Sequence, residues 1–207
     1  MKLTTLASAA LLAGLSPVLS WAQCPQKADL DQGLFFRIEG GDVDYFKSTG
    51  PDEVMEIYAT SGGSTLSPEP VNRLLLAKGL YVLNLVDLGA RGEQEATSFS
   101  YSVPVAELPQ PAADTRFEVT STSGVAGEPP KITRETYVFG PQEEVSFGDC
   151  RYRAIPIAVT YEPGDGETER YVYLPELGLS YMIGWDTQTF TYQSIHLAVA
   201  GMWGELE

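Results

Sequence analysis

The chain reads as an all-β protein: an antiparallel curled sheet, half-barrel or sandwich, with at most one or two short helices. Three observations predict this. About a dozen short runs of alternating or apolar character are separated by turn residues. The 20 glycines and 14 prolines are scattered and do not gather into a linker. No long alternation of strand and helix patterns is present, which excludes doubly wound folds.

The elements follow in order. "GLFFRIEGGDVDYFKS" holds two runs around Gly40-Gly41 and predicts a hairpin or a bulge. "DEVMEIYAT" is a strand that stops at "SGGS". "SPEPVNRLLLAKGL" divides evenly between two readings. One is a short helix capped by Ser67, with Pro68 at its first position and Gly79 at its end. The other is a strand through Val71, Leu74, Leu75 and Leu76. "GLYVLNLVDL" is apolar on both faces, as a central strand is. "SFSYSVPVAEL" alternates, and Pro104 marks an edge or a strand exit. "ELPQPAAD" is a mid-chain crossover rather than a domain boundary. "TRFEVTSTS" and "KITRETYVF" flank the polar loop "GVAGEPP". In "RYRAIPIAVTY", Ile155, Ile157, Val159 and Tyr161 share one face of a strand. "RYVYLPELGLSYMIGW" reads as two strands around a turn set by Pro175 and Gly178. "TFTYQSIHLAVAG" is the last strand.

The first 22 residues are read apart from the fold. A basic Met1-Lys2, an apolar run to Leu19, and Ser20 and Ala22 at the small-residue positions predict a signal peptide cut after Ala22. The run is short and broken by Pro17, which argues against a membrane anchor, and no later stretch is long enough to span a bilayer as a helix. Residues 23–207 are then one β-rich exported domain, expected in the periplasm first and as a secreted protein second. Gln23 before Cys24 and the nearby Trp21 do not fit a lipidation signal. Cys24 and Cys150 are the only cysteines, and in an exported chain the two are expected to pair.

Removing the signal takes away Lys2 and no acid, so 13 basic residues become 12 against 28 acidic ones and the net charge moves from −15 to −16. Such a chain repels nucleic acid and anionic membrane surfaces, and it shows no arginine or lysine stripe for phosphates.

Catalytic and metal signatures are weak. His196 is the only histidine, and Ser194 shares its strand face, but there is no nucleophile elbow and no identifiable acid partner. Zinc ligands are missing. Glu39, Asp42 and Asp44 in "EGGDVD", and Glu162, Asp165, Glu167 and Glu169 in "EPGDGETE", supply carboxylates without the spacing of an EF-hand. Both stretches read as acidic turns. Glu176 lies in a turn, and the glycine pairs at 40 and 62 lack the lysine and helix of a phosphate loop. No cofactor is implied. A carboxylate pair for hydrolysis remains a distant third reading.

The aromatics carry the leading one. There are 11 tyrosines, 8 phenylalanines and 3 tryptophans. Tyr171, Tyr173, Tyr181, Trp185 and Tyr192 form the candidate ligand wall if the sheet is concave. The competing reading makes them cross-strand pairs and core filling. Residues 143–186, with "FGDCRYRAIPIAVTY" followed by "ERYVYLPELGLSYMIGW", resemble the end of uncharacterised bacterial periplasmic proteins and the half-barrel of the lipoprotein-localisation carriers (LolA/LolB-like). The resemblance implies an antiparallel sheet curled around a hydrophobic cleft. It transfers no catalytic residue. The chain departs from those carriers in its acidity and its lack of long helices. The expected function is a non-catalytic exported protein holding an apolar or lipid-like ligand. The alternative is a structural or interaction protein that docks an envelope partner through its acidic surface or a sheet edge.

Overall fold

A computed structural model describes residues 24–62, 68–88, 94–164 and 166–198. The segment predicted as a signal peptide, Ser67 and Asp165 lie outside the described residues. A short 3-10 helix, Lys27–Asp31, leads into β1 (Leu34–Ile38), β2 (Val43–Gly50), β3 (Glu53–Thr60), β4 (Glu69–Ala77), β5 (Tyr81–Leu88) and β6 (Gln94–Tyr101). A single 3-10 turn, Val105–Glu107, follows Pro104. Then come β7 (Arg116–Val125), β8 (Lys131–Phe139), β9 (Glu143–Phe147), β10 (Cys150–Glu162), β11 (Thr168–Leu174), β12 (Leu179–Trp185), β13 (Gln188–Thr189) and β14 (Tyr192–Leu197).

All 14 strands belong to one antiparallel sheet that does not close. Its order is β13-β12-β11-β10-β8-β7-β6-β5-β4-β3-β2-β1-β14, with β9 paired to β10 off this path. Neighbours in sequence are mostly neighbours in space, as a meander of hairpins requires. The turns use residues that accept a left-handed backbone. Gly40 and Gly41 join β1 to β2 at φ +95° and +99°, and Gly178 joins β11 to β12 at φ +72°. The "SPEPVNRLLLAKGL" segment is a strand. β4 runs antiparallel to both β3 and β5, so the ladder prevails over the helix-start signals.

Register shows how the sheet rolls. Residues directly opposed on neighbouring strands point to the same face. Leu34, Phe46, Glu56, Leu74, Leu85 and Thr97 are successive partners across β1 to β6 and therefore share one face. Tyr101 and Ser121, then Glu135 and Tyr161, then Val159 and Glu169 carry that face to β11. It is the inner, concave face. Tyr81 of β5 meets Tyr137 of β8 across it, with ring centroids 5.1 Å apart.

The roll overlaps itself. Val172, Leu174, Leu179 and Tyr181 lie on the opposite face of β11 and β12, and they pack in one core with Leu34, Phe36 and Phe46 from the inner face of β1 and β2. Tyr173 of β11 points the other way, into a second core with Ile155, Ile157, Tyr137 and Tyr81. β11 thus separates two cores and is buried on both sides, which explains why "YVYL" is apolar throughout. The β4–β5 turn locks onto the overlap. The Ser180 amide and hydroxyl both donate to the Gly79 carbonyl, at 2.8 and 2.7 Å. A Cβ on Gly79 would collide with the Gly178 carbonyl, so this close approach needs glycine.

Cys24 and Cys150 form a disulfide across 126 residues, with Cα atoms 5.4 Å apart. It ties the segment before the first 3-10 helix to the start of β10, and Tyr152 donates to the Pro25 carbonyl beside it at 3.0 Å. Replacing both cysteines by serine is expected to lower unfolding free energy by roughly 3–5 kcal/mol, the value for closing a loop of that length. Urea unfolding of the oxidised protein and the double variant checks this.

Candidate functional site

The inner face has two characters. Where the ends overlap it is filled with apolar side chains. In the middle of the sheet, on β4 to β7, it is filled only in part: Leu76, Tyr81 and Val119 are buried, and Leu83, Tyr101 and Phe117 pack partly buried against the second core. Leu74, Leu83, Leu85, Phe99, Tyr101 and Phe117 point inward there, yet each keeps part of its surface accessible. The alternation in β6 accounts for the direction. Thr97, Phe99 and Tyr101 face in, while Ser98 and Ser100 face out and are exposed.

Carboxylates and tyrosines line the same face. Glu135 on β8 is 5% exposed and accepts a hydrogen bond from Tyr137 at 2.5 Å. Burial pushes its carboxyl up, against the hydroxyl bonds from Ser121 and Tyr137 that favour the charged form. On β11, Glu169 Oε2 accepts from Tyr161 at 2.5 Å and from Tyr171 at 2.6 Å. The two sites share a local rule. Glu135-x-Tyr137 and Glu169-x-Tyr171 each set an acid two residues before a tyrosine on one strand face, where the hydroxyl reaches back to the carboxylate.

A third group closes the other side. Asp44 on β2 is 3% exposed and accepts from the Tyr192 hydroxyl of β14. Burial raises its carboxyl to about 7, the Tyr192 bond works against this, and Asp42 adds to it. Glu56 on β3 is raised well above the usual range, first by burial and then by the charge of Asp44. Tyr171 is held high by burial and by Glu169, Tyr161 and, more weakly, Glu56. Among the described residues no lysine or arginine pairs with Asp44, Glu56, Glu135 or Glu169.

Of the aromatic wall expected from sequence, Tyr181 and Tyr192 come together, with centroids 4.5 Å apart, against Phe36 in the overlap core. Tyr171 and Tyr173 lie on the other face of β11, in the second core. The Tyr173 hydroxyl donates to Gln110 Oε1 at 3.3 Å, beside a concavity of about 450 Å³ that Lys27, Asp52, Lys78 and Gly178 also line. Lys78 and Asp52 close an ion pair there at 2.7 Å. Trp185 is 46% exposed at the end of β12. The five residues therefore occupy three environments rather than one wall. Tyr171, Tyr173 and Tyr192 point to the inner face, and of these Tyr171 and Tyr192 bond its acids.

The other residues singled out in the sequence have local partners. Glu176 holds its turn by accepting from Arg153 Nε at 2.6 Å. Asp42 accepts from Tyr58 and from the Ser61 amide, at 2.7 and 2.9 Å. His196 contacts Ser194 at 2.8 Å and stacks on Phe35, while burial and Arg37 lower its basicity. Among the described residues no group of three or more His, Cys, Asp or Glu is arranged to hold a metal ion. Sequence reasoning took Asp44 and Glu169 for turn acids and passed over Glu56 and Glu135. The signal was the parity of the E-x-Y pairs, which puts an acid on the aromatic face of a strand.

The chain matches no protein-family model, no curated protein and no solved structure.

Two outcomes follow from this geometry. Trp185→Ala is expected to cost less than about 1 kcal/mol, as an exposed truncation does, whereas Tyr181→Ala is expected to cost ~3–5 kcal/mol. Urea midpoints of the two variants decide this. Asp44 binds a proton in the folded state up to about pH 7 but in the unfolded chain only near its ordinary value of 3.8. Stability therefore falls as pH rises between about 4 and 7. The melting temperature is expected to be higher at pH 5 than at pH 7.5, with a smaller difference in Asp44→Asn. Equal differences in the two proteins would mean that Asp44 is ionised across this range.

Proposed function

We propose that the protein is a non-catalytic exported carrier that holds an apolar or lipid-like ligand on the inner face of its rolled sheet. The observation that carries this reading is the set of inward leucines and aromatics on β4 to β7 that the overlap leaves partly uncovered. Apolar surface kept accessible on the concave side of a sheet, with a few polar groups among it, is what a ligand site for such molecules requires. The signal-peptide pattern, the disulfide and the resemblance of residues 143–186 to periplasmic half-barrels support the export half of the reading.

A specific observation favours docking of an envelope partner as the second reading. Trp185 is exposed beside β13, a two-residue edge strand with a free side. A carboxylate-pair hydrolase ranks third. Asp44 and Glu56 are the pair it would use, but Asp44 is almost fully buried and already holds the Tyr192 hydroxyl.

Native mass spectrometry of protein isolated gently from its own envelope tests the proposal. The expected result is an extra mass that leaves on denaturation and extracts into organic solvent. A bare protein that also fails to take up an apolar fluorescent probe overturns the carrier reading. Extra mass from a second polypeptide puts the docking reading first.

A further inference from the structure

The concavity beside Tyr173 includes none of the accessible leucines and aromatics of β4 to β7. It lies where the first 3-10 helix meets the β2–β3, β4–β5 and β11–β12 turns. Its volume of about 450 Å³ suits a small organic molecule. Part of its lining is apolar. Leu30, Val54 and Tyr173 contribute to it, and the rest of each side chain is buried in one of the two cores.

Two lysines come together on this apolar base. Lys27 lies over the Gly178 turn, where a Cβ built on the glycine would stand 3.4 Å from Nζ. Gly178 in turn touches Gly79, the residue after Lys78, so closely that a Cβ on Gly79 would strike the Gly178 carbonyl. Lys78 itself has φ +54°, in the left-handed region where a tight hairpin turn favours asparagine, aspartate or glycine. A lysine is an unfavourable choice for that backbone, yet this one turns its side chain inward, to 12% exposure. One of its three donors goes to Asp52 at 2.7 Å, which leaves two. The Tyr173 hydroxyl occupies Gln110 Oε1 at 3.3 Å, so the Gln110 amide nitrogen also keeps its donors. Asp31, exposed, and Glu53, half-buried, line the same space. Among the described residues none of Lys27, Asp31 and Glu53 enters an ion pair.

This cavity therefore combines spare cationic donors, spare carboxylates and an apolar surface. A simple anion would satisfy the lysines but face Asp31 and Glu53. A simple cation would satisfy the acids but face the lysines. A molecule with both charges and an apolar branch answers all three parts. We propose that the cavity binds a free α-amino acid with an apolar side chain. Its carboxylate lies toward Lys27 and Lys78, its ammonium toward Glu53 and Asp31, and its side chain on Leu30, Val54 and Tyr173. This is a second site, separate from the ligand of the inner face, so its failure leaves the carrier reading standing.

Isothermal titration calorimetry of phenylalanine, 3-phenylpropanoate and 2-phenylethylamine on the purified full chain at pH 7.5 tests it. The three share one ring and differ only in which charges they carry. The expected result is one phenylalanine per chain, bound at least tenfold more tightly than either analogue. Lys27→Gln is expected to weaken phenylalanine about tenfold and 3-phenylpropanoate as well, with 2-phenylethylamine unchanged. Glu53→Gln is expected to weaken phenylalanine and 2-phenylethylamine and to leave 3-phenylpropanoate unchanged. A merely structural role for either residue would shift all three probes together, and near-UV circular dichroism checks that both variants fold. Either analogue binding as tightly as phenylalanine overturns the zwitterion assignment. Selectivity that survives in both variants overturns the placement. No binding of phenylalanine or of leucine overturns the site itself.

Discussion

The double burial of β11 is the constraint on which the rest depends. An open sheet of 14 strands has two long edges and two faces to cover, and water would reach most of it. Tucking β11 and β12 under β1 and β2 covers both ends at once. The outward side chains of β11, Val172 and Leu174, meet Leu34 and Phe46, while the inward Tyr173 meets Ile155 and Tyr81. A slip of one residue in the β10–β11 register would exchange these sets and place tyrosines against a core shaped for leucine and valine. The Gly79–Ser180 contact and the disulfide act at the same place. Each fixes a turn or a terminus against the overlap, so the roll is held by its seam rather than by closure of its ladder.

That arrangement determines where polar groups can go. An acid buried on an apolar face costs several kcal/mol unless it stays protonated or gains strong hydrogen bonds. Here tyrosine hydroxyls supply the bonds, and burial raises the carboxyls of Asp44, Glu56 and Glu135. Tyrosine suits the role because its ring fills core volume and its hydroxyl reaches back to a residue on the same strand face. Burial first, and then the acids, raise Tyr137, Tyr171 and Tyr192 in turn, so within this network the phenols remain proton donors at neutral pH.

Much of the architecture could be read from the sequence, because hairpins are local. The turn at Gly40-Gly41, the strand exit at Pro104, the loop between β7 and β8, and the inward set of Ile155, Ile157 and Val159 all follow from alternation and turn chemistry within a few residues. The pairing of Cys24 with Cys150 followed from their number and from the expectation of export. What could not be read is the overlap, because no local pattern records that the two ends of the meander meet. This is why the aromatic wall divides. Tyr171 and Tyr181 are close in sequence but have opposite parity across the Gly178 turn, so one faces the lumen and the other the seam. The helix signals in "SPEPVNRLLLAKGL" were overridden for the related reason that two neighbouring strands claim the backbone of β4.

The same geometry explains why the middle of the sheet is the less covered part. A strip wound on itself has two layers only where its ends overlap. Strands near the ends gain a partner layer, and the residues they turn toward the overlap, Phe36, Phe46 and Leu174, are almost fully buried. β4 to β7 lie furthest from both ends; Tyr81 and Val119 pack into the second core with β8, β10 and β11, while Leu74, Leu85 and Phe99 stay partly accessible. The accessible apolar surface is a product of the topology rather than a defect in packing. Filling it by larger side chains would be the simplest route to a more stable protein, and the sequence instead keeps Thr97 and Ser123 on that face. Under the carrier reading proposed above, the ligand would supply the apolar partner that no side chain provides to Leu74, Leu85 and Phe99.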